Sequence, residues 1–141
     1  PVLRRSAPRA GSSVIAVIGQ RLIRRICAKC REPYALAAET AEKMGLVTRS
    51  SPEPIPLFRG KGCSQCLNTG YAGRIVISEV LALTAKVKEQ ILARTGELKI
   101  KEAGRRDGMI TMREDGMNKA FAGLTTLEEI LRVTSPDEEL S

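Results

Sequence analysis

Apolar side chains recur at helical spacing near the start of the chain. At 3.6 residues per turn, five of them fall within a stripe of roughly 120°. They are Val14, Ile15, Ile18, Leu22 and Ile26. Ser12 or Ser13 can cap the N-terminus of such a helix, so the pattern predicts a helix over residues 12–26. Residues 1–11, which include two prolines and Gly11, are typical of a tail or a severed linker.

The pattern is mixed between residues 27 and 66. Residues 35–44 are rich in alanine and glutamate and end before Gly45, which predicts a short helix. Three prolines keep residues 50–56 extended, and residues 57–59 then have the pattern of a short strand. This stretch therefore predicts a small module with short strands.

The second half of the chain begins with a strand pattern and continues with helices. β-Branched residues are dense over residues 74–83, which predicts a strand. Helix caps, among them a capping box of Thr126 and Glu129, divide the rest into four helices. Their predicted ranges are 84–96, 97–107, 111–122 and 126–133. The predicted fold class is α+β, mainly helical, with a small module at 27–66 and a mainly helical C-terminal subdomain at 67–141.

All four cysteines lie in two CxxC pairs, Cys27/Cys30 and Cys63/Cys66. Each pair can turn both sulfurs toward one point, and two such turns supply the four thiolates of a tetrahedral zinc site. The 32 residues between the pairs exceed the usual spacing of about 15–20, so the loop should carry structure of its own. Because the chain has no histidine, the site would be closed and structural rather than catalytic.

Two other uses of these cysteines stay open at this point. Two disulfides would suit a secreted domain, but the N-terminus lacks the charged and apolar regions of a signal peptide. A redox-active CxxC would explain one pair, but not a second pair of equal spacing outside a thioredoxin-like context. Zinc is therefore the favoured cofactor.

Positive charge is concentrated at one end of the chain. The net charge is +7, and residues 1–31 hold eight arginines or lysines and no acidic residue. Such a basic end can meet nucleic acid, anionic lipid or nucleotide phosphate. A zinc-containing nucleic-acid-binding module is thus the alternative function, although aromatic residues that could stack on bases are few. No apolar run is long enough to predict a transmembrane span.

The sequence predicts no catalytic activity for this chain by itself. It has no histidine, no cysteine outside the two pairs and no GxxxxGK[ST] phosphate loop. Glu128 and Glu129 are assigned to a helix start. Arg74 follows Gly73 at the start of the predicted strand, where its planar guanidinium can grip phosphate oxygens. A structural ion pair with Glu79 is the alternative role of Arg74.

Several short motifs occur in a specific order. They are QRLIRR at 20–25, GYAGR at 70–74, Glu79, DG at 115–116, GLTTLEE at 123–129 and RVT at 132–134. In this order they resemble the C-terminal part of the assembly ATPases of type II secretion and type IV pili, over about residues 13–135. Many members of that family have GRTGIHE where this chain has GRIVISE at 73–79, so Ser78 stands in place of a histidine.

The resemblance implies a RecA-like hexameric motor that binds ATP and magnesium, of which this chain would be a fragment lacking the upstream Walker A and Walker B segments. Residues 12–26 would then end the RecA-like core, and Arg74 would reach toward the nucleotide phosphates. The ligands of the structural zinc would be Cys27, Cys30, Cys63 and Cys66. The motor would be cytoplasmic and would associate with the inner membrane through secretion or pilus platform proteins, and nucleic acid would not be a partner.

Overall fold

The computed structural model describes residues 13–43 and 54–134 of the chain. Its strands are β1 (Ala16–Ile26), β2 (Arg31–Leu36), β3 (Ile55–Gly60) and β4 (Tyr71–Ala82). Its helices are α1 (Ala38–Lys43), α2 (Ala85–Leu92), α3 (Glu97–Arg106), α4 (Met112–Phe121) and α5 (Leu127–Val133), with a 3-10 turn at Ser64–Cys66. The α+β class is confirmed. The expectation of a mainly helical chain is not, because the two longest elements are strands, β4 with 12 residues and β1 with 11. The predictions for the tail at 1–11 and for residues 44–53 lie outside the described residues.

Residues 16–26 form strand β1, so the helix predicted over 12–26 is wrong. Three side chains of the supposed helical stripe are mostly exposed: Ile15 at 83%, Ile18 at 64% and Leu22 at 57%. Ile23, which lies outside that stripe, is buried. β1 is hydrogen-bonded to β4, a partner more than 40 residues away that a local apolar pattern does not reveal.

The loop between the CxxC pairs contains an antiparallel hairpin. β2 pairs with β3 from Arg31 opposite Gly60 to Leu36 opposite Ile55. The strand predicted at 57–59 is therefore confirmed and extended at both ends. The helix predicted over 35–44 starts only at Ala38 as α1, because the residues before it are taken up by β2.

The four predicted C-terminal helices are present as α2 to α5, and only α2 ends clearly early, at Leu92. Thr84 caps α2 by accepting a hydrogen bond of 3.3 Å from the N–H of Val87. Thr126 caps α5 by accepting one of 3.2 Å from the N–H of Glu129. Within the described residues, no helix combines the length and apolar character that crossing a membrane requires.

The described residues form two compact units. The first contains residues 13–20 and 78–112, and the second contains 21–43, 54–77 and 113–134. In the first unit Val87 is fully buried. The second unit has a larger aliphatic core, formed by Ile23, Ile26, Leu57, Ile77, Met117, Ala120, Leu127 and Ile130. All four cysteines belong to the second unit, so the candidate site rests on the better packed part of the chain.

Candidate metal centre

The four cysteine sulfurs form one cluster. Their Sγ atoms all lie within 4.8 Å of one another. The separations are 3.9 Å for Cys27 and Cys63, 3.8 Å for Cys30 and Cys66, and 3.7 Å for Cys63 and Cys66. Four sulfurs placed tetrahedrally about 2.3 Å from one centre would lie about 3.8 Å apart, whereas a disulfide bond is about 2.05 Å long. The cysteines are all free thiols, and their spacing fits a shared metal ion and not two disulfides.

Two tight turns present these sulfurs. The N–H of Cys30 donates to the carbonyl of Cys27 at 3.3 Å, and the N–H of Cys66 donates to the carbonyl of Cys63 at 3.2 Å. Three further backbone N–H groups donate to the sulfurs themselves, each with a nitrogen-to-sulfur distance of 3.3 Å. The N–H of Gly62 donates to Sγ of Cys30, and those of Cys63 and Gly70 donate to Sγ of Cys66. Such donors stabilise thiolate charge, so the backbone is arranged for anionic sulfur.

Two glycines allow the chain to close around the second turn. A Cβ added to Gly60 would lie 2.0 Å from the carbonyl oxygen of Gly70. A Cβ added to Gly70, whose φ is +77°, would lie 2.5 Å from the carbonyl oxygen of Gly60. The backbones on either side of the Cys63 turn therefore cross in direct contact, which only glycine permits at these positions.

The thiols differ strongly in acidity. Desolvation raises the pKa of Cys30 to about 12, although the N–H of Gly62 acts in the opposite direction. Cys66 is also desolvated, but the N–H groups of Cys63 and Gly70 outweigh that cost and lower its pKa to about 6. Four thiolates cannot share so small a volume without a compensating cation, because their charges repel. The donor set therefore fits a thiophilic divalent ion, which would release the remaining protons on binding.

Comparison with known proteins shows the family of this chain. A sequence model for a family described as "Type II/IV secretion system protein" matches residues 6–132. The chain belongs to this family. It is 41% identical over 123 residues to the type IV pilus assembly ATPase PilB of Thermus thermophilus, covering 87% of this chain and 14% of that protein. It is 40% identical over 126 residues to type II secretion system protein E of Aeromonas hydrophila, and 37% identical over 123 residues to the type II secretion system ATPase E of Vibrio cholerae. Those two alignments cover 89% and 87% of this chain and 24% of each relative, so the chain spans at most a quarter of the length of these three relatives.

Arg74 was the other residue singled out from the sequence and the family resemblance. It lies near the start of β4, directly after Gly73 with a φ of +79°, and its side chain is exposed. Within the described residues it makes no hydrogen bond or ion pair, so the ion pair with Glu79, its alternative role, is not observed. The carboxylate of Glu79 instead accepts a hydrogen bond of 3.3 Å from the N–H of Met112. The role of Arg74 at nucleotide phosphates stays a prediction.

A second polar site was not anticipated from the sequence. Glu129, assigned from the sequence to a helix start, is only 1% exposed. Its carboxylate accepts hydrogen bonds from Arg24 Nε at 2.9 Å and Arg24 Nη2 at 2.6 Å, and from Arg132 Nη2 at 2.8 Å. Hydrogen bonding from Arg132 and Arg24 lowers the pKa of Glu129 to about 2, against the opposing effect of desolvation. Its place in the predicted helix next to the buried Ile130 was the available signal in the sequence. Its main partner, Arg24, lies 105 positions away.

Proposed function

We propose that this chain is the C-terminal, zinc-bearing part of a hexameric ATPase that powers type II protein secretion or type IV pilus assembly. The whole motor would bind ATP and magnesium through segments outside this chain. It would work in the cytoplasm, attached to the inner membrane through secretion or pilus platform proteins. The chain by itself would not hydrolyse ATP.

The observation that carries this proposal is the coincidence of family membership with the cysteine cluster. Residues 6–132 match the family, and two of the relatives are named as ATPases. The cluster supplies four sulfurs at separations suited to a tetrahedral ion. Zinc fits the all-sulfur donor set and would supply a rigid cross-link between the two turns when bound.

In this proposal Cys27, Cys30, Cys63 and Cys66 have a structural role. They fix the ends of the β2–β3 hairpin, because each cysteine pair adjoins one of its strands. Arg74 would act on the nucleotide, since an exposed guanidinium without an internal partner in the described residues is available to phosphate oxygens. Its contribution would be stabilisation of charge during phosphoryl transfer.

A nucleic-acid-binding module is the weaker reading, because three of the aromatic rings are covered by arginines. The guanidinium of Arg24 lies 4.1 Å from the ring centre of Tyr71. Those of Arg31 and Arg59 lie 5.0 Å and 5.8 Å from the rings of Phe58 and Tyr34. Rings occupied by internal cations offer little surface for stacking on bases.

Metal content, ATP turnover and a deletion phenotype test the proposal. Elemental analysis of the chain, purified without chelator, should find about one zinc per chain, and the chain should show no ATPase activity. The full-length protein should hydrolyse ATP with magnesium, and its deletion should abolish either exoprotein secretion or pilus formation. Metal near zero with four free thiols and an intact fold would contradict the zinc assignment. A full-length protein without ATP turnover would contradict the motor.

A further inference from the structure

Four arginines of the second unit donate hydrogen bonds to α5 or to Thr134, the residue that follows it. They are Arg21, Arg24, Arg113 and Arg132, here called the arginine cluster. The side chains of Arg24 and Arg132 are 49% and 60% exposed, and Arg21 is exposed as well. Neither the metal centre nor the proposed role of Arg74 accounts for this cluster.

Glu129 holds two of these guanidiniums in fixed positions. Its carboxylate is fully buried and accepts hydrogen bonds from the Nε and Nη2 atoms of both Arg24 and Arg132. The ring of Tyr71 supports Arg24 from below, and the hydroxyl of Tyr71 is anchored to Thr126 Oγ1 at 2.8 Å. Side chains ordered in this way lose little further entropy when an anion binds, which favours recognition.

The cluster keeps an excess of positive charge. One guanidinium would suffice to neutralise Glu129, and Arg24 and Arg132 both contact it. Arg21 Nη1 donates to the carbonyl of Val133, and Arg113 Nη1 donates to that of Thr134 at 3.5 Å. These carbonyls at the helix end are neutral groups with only partial charge. Glu129 therefore neutralises one of the two guanidiniums that contact it, and this pair keeps a net charge of about +1.

We propose that the arginine cluster is a docking site for an acidic segment of a partner protein, whose carboxylates bridge the exposed edges of Arg24 and Arg132. A planar guanidinium can donate two parallel hydrogen bonds to the two oxygens of one carboxylate. The hydrogen bonds of the cluster are confined to α5 and the residue after it, and the ring of Tyr71 already lies against Arg24. Nucleic acid would instead need an extended basic stripe and free aromatic faces, so a compact acidic peptide is the better fit.

Fluorescence anisotropy with a labelled hexaglutamate peptide tests this proposal on the 141-residue chain. We expect saturable binding that weakens as salt rises from about 50 to about 200 mM. Arg132→Gln should weaken binding about 10-fold, and Arg132→Lys should also weaken it, because lysine keeps the charge but lacks the fork. Arg106→Gln is the matched control: it removes an equal charge from an exposed arginine on α3 and should change affinity less than about twofold.

Glu129→Gln separates fixed geometry from simple charge. It makes the chain more positive, so diffuse electrostatics predicts tighter binding, whereas loss of the carboxylate that orders Arg24 and Arg132 predicts weaker binding. We expect weaker binding in samples whose circular dichroism matches the parent chain. If this variant does not fold, Arg132→Lys decides the same question.

Several outcomes would overturn the proposal: no saturable binding, equal losses in Arg132→Gln and Arg106→Gln, or tighter binding by folded Glu129→Gln. Duplex DNA that binds more tightly than the peptide and is lost in Arg132→Gln would assign the cluster to nucleic acid instead. Inorganic phosphate that displaces the peptide at constant ionic strength would identify a small-anion site. Zinc content measured on the same samples keeps failure here distinct from failure of the metal assignment.

Discussion

Glu129 on α5 and Arg24 on β1 meet through three hydrogen bonds although they are 105 positions apart. The backbone N–H of Arg24 donates to Oε1 at 3.1 Å, and its Nε and Nη2 atoms donate to Oε2 at 2.9 and 2.6 Å. Glu129 is buried while Arg24 stays half exposed. The pair therefore joins the end of a strand to the last helix with a charge that the interior would not tolerate alone.

The pH dependence of stability should report this pair. The pKa of Glu129 is about 2 in the folded chain, below the ordinary value of 4.5. A carboxyl group whose pKa is lowered by folding stabilises the fold at pH values above its pKa in the unfolded chain. This contribution is lost as pH falls from about 5 toward about 2. It amounts to about 3 kcal/mol. Urea unfolding at pH 7, 5 and 3 measures it.

Glu129→Gln should remove this loss of stability at acidic pH. It should also lower the free energy of unfolding by about 3 kcal/mol at neutral pH, because Arg24 is left without its buried counter-charge. Glu128→Gln, a change at the exposed neighbour on the same helix, should keep this loss of stability. An unchanged acid profile in Glu129→Gln would show that other groups control acid unfolding.

The crossing of Gly60 and Gly70 should be intolerant of any side chain. Gly60→Ala places a Cβ 2.0 Å from the backbone oxygen of Gly70, so one of the turns must shift. We expect a loss of about 3 kcal/mol or more in unfolding free energy together with reduced metal content. For Gly96→Ala no described atom lies within 4 Å of the new Cβ, so it should cost less than about 1 kcal/mol. Similar melting temperatures for the two variants would contradict the close crossing.

Loss of one metal ligand should affect the two units unequally. Cys27→Ser removes a buried sulfur from the second unit, whereas α2 and α3 belong to the first. Amide exchange should therefore accelerate around Leu57 and Ile130, while Val87 keeps its protection. Ser64→Ala, an exposed change within the second CxxC turn, is the matched control. Equal loss of protection at Val87 would mean that the units do not open separately.

The sequence was most informative where local chemistry determines the structure. The spacing of the cysteines predicted a cluster that the fold assembles. Thr84 and Thr126 were recognised as caps because capping depends on residues three positions apart. Zinc as the ion that this cluster holds stays a prediction.

The failures occur where a distant partner determines the structure. β1 was assigned as a helix because Ile18 and Leu22 share helical spacing, yet both are exposed on a strand that pairs with β4. β2 contains Pro33 and has weak strand propensity. It forms a strand because it pairs with β3. The buried ion pair of Glu129 was missed for the same reason: its counter-charge, Arg24, could not be located from local sequence.

The last prediction concerns Arg74 and requires the full-length protein, because the proposed hydrolysis of ATP would use segments outside this chain. Arg74→Ala should lower ATP turnover by roughly 10- to 1,000-fold, as expected when one donor to the developing phosphate charge is lost. The turnover of Arg74→Lys should lie between that of the parent protein and that of Arg74→Ala, since lysine keeps the charge but not the planar guanidinium. Arg106→Ala, a change at another exposed arginine, should leave turnover unaltered.

The melting temperature of the same samples separates this role from a structural one. Arg74 is exposed and makes no ion pair within the described residues, so its removal should leave the melting temperature almost unchanged. A structural role would instead lower stability, with turnover falling only in proportion to the unfolded fraction. Unchanged turnover per folded protein would remove Arg74 from the proposed nucleotide site.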